Sequence, residues 1–322
     1  MKKFMKVCAI IALILVLVGL ALGIAGSTAK GRNTISEVVE NVTGGRVRIN
    51  LNPTDWNWGI TIGDDIFDSL DEVNYDIKDS VSFDSNYPVL SGDIDKYSLE
   101  GTVANLEIEA GGCSFRVKES EDDSFYVEAK GVGKFQTYVE NETLYMKTTT
   151  VARQWSEISG SKITLYVPAN CNFGEIKINL GAGVLEFPNL HAENAALEVG
   201  AGQIEADGAE VQRLEINVGM GQIRLTDMNV TDLSAEVGMG ELVAKGAVNG
   251  NVDAECSMGN LELRIAGKQE DFNYELSGAM GNLTLDGKSY SGFSQEKSID
   301  NGAAKKMELD CSMGNVTVKF EK

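Results

Sequence analysis

Histidine is almost missing from this chain: His191 is the only one in 322 residues. That excludes a histidine metal cluster and leaves a single candidate base for a serine or cysteine catalytic pair. Proline is scarce as well, four residues against 35 glycines, so the glycines do not belong to a Pro/Gly-rich disordered composition. Positive charge is in deficit, with 28 Lys plus Arg facing 48 Asp plus Glu for a net −20. A chain of that sign does not neutralise phosphates, which argues against nucleic acid as a partner, and it is poorly suited to anionic lipid. The five cysteines contain no Cys-x-x-Cys spacing, so no zinc pattern is present. Apolar residues nonetheless make up 43% of the chain, enough to build a core. No cofactor is implied, and most enzyme classes are removed.

Long apolar runs are limited to one. Val7 to Gly26 carries no charge and is preceded by Lys2, Lys3 and Lys6. Its length matches the ~20 residues that a membrane-spanning helix requires, rather than the ~7–15 of a signal-peptide core. The basic leading flank places the amino terminus inside the cell. The expectation is a single-pass anchor in the cell membrane with everything from Ser27 onward outside. Small residues at Ala21, Gly23 and Ala25 leave cleavage open as the alternative. Cys8 begins the run, so a lipoprotein cysteine does not follow it. The remaining four, Cys113, Cys171, Cys256 and Cys311, read as buried free thiols.

What the chain has in abundance is a repeat. Gly181-Ala182-Gly183, Gly200-Ala201-Gly202, Gly219-Met220-Gly221, Gly238-Met239-Gly240 and Ser257-Met258-Gly259 recur at intervals of 19 residues. Ala279-Met280-Gly281 and Ser312-Met313-Gly314 follow at longer intervals, and Ala110-Gly111-Gly112 is a degenerate copy. Apolar residues alternate with polar ones around each tripeptide, which is the period of a strand. Stacking at 19 aligns Ile178, Leu197, Ile216, Ala235 and Ala254, then Leu180, Val199, Val218, Val237 and Cys256. Beyond the turn it aligns Leu185, Ile204, Ile223, Leu242 and Leu261, then Phe187, Ala206, Leu225, Ala244 and Leu263. A shorter column runs Leu190, Ala209, Met228, Ala247, Ala266. Inward residues that stack on equivalents one winding away are what a chain coiled round one core requires. The fold expected is all-β, a parallel β-solenoid (a short-coil β-helix) with ~19 residues per coil, following an N-terminal transmembrane helix.

The domain organisation expected is therefore 1–26 as cytoplasmic start and anchor, 27–96 as an acidic juxtamembrane connector, and 97–322 as the repeat domain. Residues 60–100 hold eleven acidic and two basic side chains. Phe125 to Val167 alternate without the tripeptide and read as irregular early coils, and Lys288 to Lys305 reads as an inserted loop. Trp56 and Trp58 suit either a membrane interface or a ligand platform.

Each candidate site carries a plainer alternative. Gly183, Gly202, Gly221, Gly240, Gly259, Gly281 and Gly314 close the turns; a dinucleotide fingerprint needs a following helix, and here a strand follows. Positive φ is the reason expected for them, so that Gly221→Ala costs ~1 kcal/mol or more in strain. Met220, Met239 and Met258 form a row that is either a contact stripe or, as the break in alternation favours, an inward filling of the corner. Glu198, Glu236 and Glu255 are calcium candidates on an outward column with Asn179 and Asn217. Because the Gly-Gly-x-Gly-x-Asp turn is absent, a solvated acidic face is the simpler reading. Asp207, Asp227 and Asp232 fall near turns with no convergent base, and His191 has Glu193 nearby but no nucleophile.

Three segments together resemble the DUF4097 family, found mainly in Gram-positive bacteria and provisionally named adhesins. They are the basic start and anchor, Val103-Ala104-Asn105-Leu106-Glu107-Ile108-Glu109, and Lys162-Ile163-Thr164-Leu165-Tyr166-Val167-Pro168; the Gly-Ala-Gly and Gly-Met-Gly series completes the match over 97–322. The resemblance implies a surface β-solenoid, similar at fold level to the toast-rack domains of envelope-stress membrane proteins, with no catalytic residues to carry over. The functional expectation is a non-catalytic, adhesin-like binding protein outside the membrane, with an unknown surface ligand or membrane protein as partner. The alternative is an accessory or sensor in envelope-stress signalling that contacts another membrane protein.

Overall fold

The computed structural model describes residues 47–50, 59–62, 81–149, 161–169, 171–290 and 296–321. The anchor expected at Val7–Gly26, Cys8, Trp56 and Trp58 lies outside these residues, as does most of the connector. Among the described residues no helix is long and apolar enough to cross a membrane. The chain divides into two compact units, 1–76 and 77–322. In the first, β1 (Val47–Asn50) pairs antiparallel with β2 (Gly59–Ile62).

The second unit is a single 19-stranded sheet wound into a coil. Its regular part runs through β8 (Phe173–Pro188), β9 (His191–Val199), β10 (Gln203–Asp207), β11 (Glu210–Val218), β12 (Gln222–Val237), β13 (Glu241–Val248), β14 (Val252–Cys256) and β15 (Asn260–Ala266). All of these pair in parallel, and the register has the sequence period. Ile216 stands between Leu197 and Ala235, and Gln222 between Gln203 and Glu241. Every member of the four long apolar columns is buried in one continuous core.

Strict alternation cannot close a coil, so each winding breaks it where the chain bends. Asp207–Gly208, Gln212–Arg213 and Gly219–Met220 each leave two successive residues outside the core. At the first bend the backbone is left-handed: Asn189, Gly208, Asp227 and Gly246 have φ of 55°, 77°, 51° and 149°. Asn, Asp and Gly are the residues that tolerate that region. At the second bend side chains replace ladder bonds. Asp232 Oδ1 accepts from Asn251 N–H at 2.8 Å, and Asn251 Oδ1 from Lys306 N–H at 3.0 Å. The shorter apolar column holds only at Leu190, Ala209 and Met228. A bulge pairs Met228 with Gly246, after which Ala247 is half-buried and Ala266 exposed, while Val248 and Ile265 turn inward.

Both ends depart from sequential winding. At one end are β3 (Leu90–Ser98), β4 (Asn105–Glu119), β5 (Tyr126–Glu140), β6 (Thr143–Thr149) and β7 (Lys162–Val167). β4 pairs in parallel with β8 on one side and with β6 and β7 on the other. β5 then runs antiparallel to β6, β7 and β3, so 125–167 are not simply early parallel coils. The sheet thus takes in β3, ahead of residue 97. Buried Gln136 holds the segment before β3 in place: its amide bonds Asp84 N–H at 2.8 Å and the Asp84 and Tyr87 carbonyls at 2.7 and 2.9 Å. Tyr87 stacks on Tyr138, and Tyr138 on Tyr145.

At the other end are β16 (Phe272–Gly278), β17 (Asn282–Leu285), β18 (Lys288–Ser289), β19 (Lys297–Ile299), β20 (Lys305–Cys311) and β21 (Asn315–Glu321). The last winding in sequence, β20–β21, lies directly on β14 and β15, and β16–β17 lie outside it. The windings around Gly281 and Gly314 are therefore exchanged relative to chain order. The final coil is covered rather than open, and β18 and β19 in the expected loop pair antiparallel with β17 and β16.

Candidate functional site

The third bend, at the glycine tripeptides, has no left-handed glycine beyond Gly183 (φ 96°); the other closing glycines are absent from the positive-φ residues. The reason glycine is required is a close approach to the neighbouring coil. A Cβ on Gly221 would lie 2.9 Å from Val199 Cγ2 and closer still to the Gly202 carbonyl oxygen. On Gly240 it would meet Val218 Cγ1 at 2.6 Å, on Gly259 Val237 Cγ1 at 2.8 Å, and on Gly314 Cys256 Sγ at 2.8 Å. Gly202 and Gly281 are equally confined, by the Gly183 carbonyl and Cys311 Sγ.

Because the closing glycine takes the inward position, the middle residue points out. This overturns the expectation that the methionines fill the corner. Met220, Met239, Met258, Met313 and Met280 are 52–77% exposed. Their amides tie them into one row: Met220 N–H donates to Gly200 O at 2.7 Å, Met239 to Gly219 O and Met258 to Gly238 O at 2.8 Å. Met313 N–H then donates to Ser257 O at 2.7 Å, and Met280 to Ser312 O at 2.8 Å. The spatial order therefore ends Met258, Met313, Met280. Among the described residues the only other large exposed apolar side chains are Val89 and Val184.

Polar columns run along both sides of the row. On one, the register sets Asn179, Glu198, Asn217, Glu236, Glu255 and Asp310 in successive coils. Asn179 Nδ2 donates to Glu198 at 3.3 Å, and Asn217 separates Glu198 from Glu236. The three calcium candidates are thus not brought to one point. Among the described residues no group of three or more His, Cys, Asp or Glu is placed to hold a metal ion. On the other side Gln222, Glu241 and Asn260 form an amide ladder, in which Glu241 accepts from Gln222 Nε2 and from Asn260 Nδ2 at 3.0 Å.

The remaining candidates have structural partners. His191 Nδ1 faces Glu210 Oε2 at 3.4 Å, one coil away, rather than Glu193. Asp207 accepts from Thr226 Oγ1, Asp227 occupies a left-handed bend, and Asp232 caps Asn251. Burial pushes the thiols of Cys113, Cys256 and Cys311 up, Cys113 to about 12. Cys171 is only half-buried, and its thiol is raised too, first by burial and then by Asp123. A surface groove of about 780 Å³ is lined by Arg116, Lys118, Glu186, Asp207 and Arg224. Arg116 grips Glu186 with two bonds of 2.6 and 2.7 Å, which hold that carboxyl below its ordinary range. Turns near Asp207, Asp227 and Asp232 were legible in sequence; the left-handed backbone of the first bend was not, and its signal was Asn189, Gly208 and Asp227, spaced like the tripeptides.

A coil of 19-residue parallel windings, cornered on close-packed glycines, defines a short-coil β-solenoid. The family model Toastrack DUF4097 matches residues 103–227 and 169–319, and the chain belongs to that family. No curated protein matches. A provisionally named adhesin from Bacteroides fragilis is similar in structure at 11% identity, covering 72% of this chain and 97% of that one, with a TM-score of 0.41. A provisionally named lipid-binding protein from Parabacteroides distasonis has 14% identity, coverage of 74% and 98%, and a TM-score of 0.36. A provisionally named cell adhesion protein from Clostridium sporogenes has 10% identity, coverage of 73% and 100%, and a TM-score of 0.32.

Proposed function

We propose that this chain is a non-catalytic, adhesin-like binding protein, held in the cell membrane by Val7–Gly26 and displaying its solenoid outside the cell. The observation that carries the reading is the concentration of exposed apolar side chains in one row of five methionines. Soluble surfaces scatter such residues singly, whereas a contiguous row marks a contact surface. Methionine adapts its shape to a partner through three rotatable bonds. The non-catalytic part of the reading rests on chemistry: burial raises the thiols of Cys113, Cys256, Cys311 and Cys171, and the lone histidine faces the Glu210 carboxylate.

The experiment is site-specific photocrosslinking in intact cells, with the crosslinker at position 239 in one strain and at position 224 on another face in a second. Adducts from 239 that are absent from 224 are the expected result, together with loss of the solenoid on protease treatment of unbroken cells. Equal labelling at both positions, or full protection from protease, would sink the proposal. A single integral membrane protein among the adducts would replace adhesion with the signalling alternative.

A further inference from the structure

The row is unusual in its chemistry as well as its exposure. Leucine, isoleucine and phenylalanine are buried throughout the regular coils, whereas the outward corner carries alanine at Ala182 and Ala201 and then a thioether in each of the next five coils. A surface made only for apolar contact has no need of sulfur at all five places. The other described methionines, Met146, Met228 and Met307, are buried.

Neighbouring coils are spaced ~4.8 Å apart, so adjacent methionines in the row stand at that interval. With three rotatable bonds each, two or three sulfurs from successive coils can turn toward one point above the corner. The backbone that carries them is held by the coil-to-coil hydrogen bonds of 2.7–2.8 Å, so the donors are presented at a constant interval. Thioether sulfur is a soft ligand that selects monovalent copper over hard divalent ions. The field also favours a cation. The flanking columns carry Glu236, Glu255 and Asp310 on one side and Glu241 on the other, and neither holds Lys or Arg between Asn217 and Asp310 or between Gln222 and Asn315.

We propose that the row Met220–Met239–Met258–Met313–Met280 is a thioether site for monovalent soft metal, taking copper(I) or silver(I). It rests on the preceding reading only in that the edge stands uncovered.

The test is a competition in which the full chain, kept reduced with ascorbate, withdraws copper(I) from the coloured chelator bicinchoninate. The variant M220L/M239L/M258L/M280L/M313L keeps the apolar edge and removes every sulfur from it. Wild type is expected to take at least one copper per chain, and the leucine variant to bind at least about tenfold more weakly, with circular dichroism and melting midpoint unchanged. C171S, which removes the half-buried thiol, is expected to bind as wild type does. X-ray absorption of the copper-loaded chain is expected to show a sulfur first shell. Failure to compete, equal affinity in the leucine variant, or a nitrogen and oxygen shell would overturn the proposal. Because leucine preserves the apolar ridge, crosslinks from a crosslinker at position 239 that survive when the other four methionines are leucine separate loss of the metal site from loss of the contact surface.

Discussion

Replacing Gly240 by alanine tests why glycine stands at these corners. The added methyl would lie 2.6 Å from Val218 Cγ1, 3.0 Å from the Met220 carbonyl carbon and closer still to the Gly221 carbonyl oxygen. Two of those three atoms are backbone, and that backbone is tied down: Glu241 N–H donates to the same Gly221 oxygen at 3.0 Å. A neighbour so held cannot yield, so the overlap falls at the upper end of the ~1–3 kcal/mol that overpacking costs. Alanine recovers ~0.4–1 kcal/mol by restricting the unfolded chain. The net is a loss of about 2 kcal/mol, or a fall in melting midpoint of roughly 4–8 °C for a domain of this size. Two residues earlier the same change is nearly free. A methyl on Gly238 meets the Gly219 and Val218 carbonyl oxygens at 3.1 and 3.4 Å and nothing nearer, and φ there is not left-handed. Gly238→Ala is therefore expected within about 0.5 kcal/mol of wild type, the entropy term offsetting the tight contact. Thermal and urea unfolding of both variants, followed by circular dichroism, gives the comparison. Equal shifts at the two positions, or a neutral Gly240→Ala, would refute the close-approach argument.

Gln136→Leu removes three bonds to Asp84 and Tyr87; at ~1 kcal/mol net each, the segment 81–89 should exchange its amide hydrogens markedly faster while the regular coils keep their protection. Glu262 bonds Lys319 and Arg264, and these, Lys319 foremost, hold its carboxyl below the ordinary range. A depressed carboxylate contributes stability above the unfolded pKa and loses it as pH falls through the folded value. Glu262→Gln should therefore lower the melting midpoint at pH 7, by an amount limited to about 1 kcal/mol at this partly exposed site, and the difference should vanish as the pH drops below the ordinary carboxylate range. Among the described cysteines, Cys171 should react first with a thiol reagent in the native state; Cys113, Cys256 and Cys311 should wait for unfolding, and modification of Cys113 ahead of Cys171 would contradict the burial described.

The period of 19 was legible because a coil core forces equivalence: Leu197, Ile216 and Ala235 must all be apolar if each stacks on the next. The identity of the turn residues was legible too, but their cause was not. Gly221 and Gly240 look like left-handed glycines in sequence, and only the distance to the neighbouring carbonyl reveals a contact between coils. The row of methionines was legible as a candidate contact stripe, but its outward direction was not, for the same reason. Alternation has to break at the corner, yet whether residue 220 or 221 faces inward depends on how closely two windings approach.

Local pattern thus determined the strand content, the length of a winding, its inward columns and the family to which the chain belongs. Tertiary structure alone decided which winding lies on which. β4 separates β7 from β8, and β20–β21 separates β14–β15 from β16–β17. The physical reason is that in-register parallel pairing is degenerate: every coil offers its neighbour the same apolar columns and the same ladder of amides and carbonyls. Cys256 on Cys311 is as acceptable locally as Cys256 on Gly278. The choice is made by the length of the intervening chain and by what must cover the ends, and neither is a property of any single repeat.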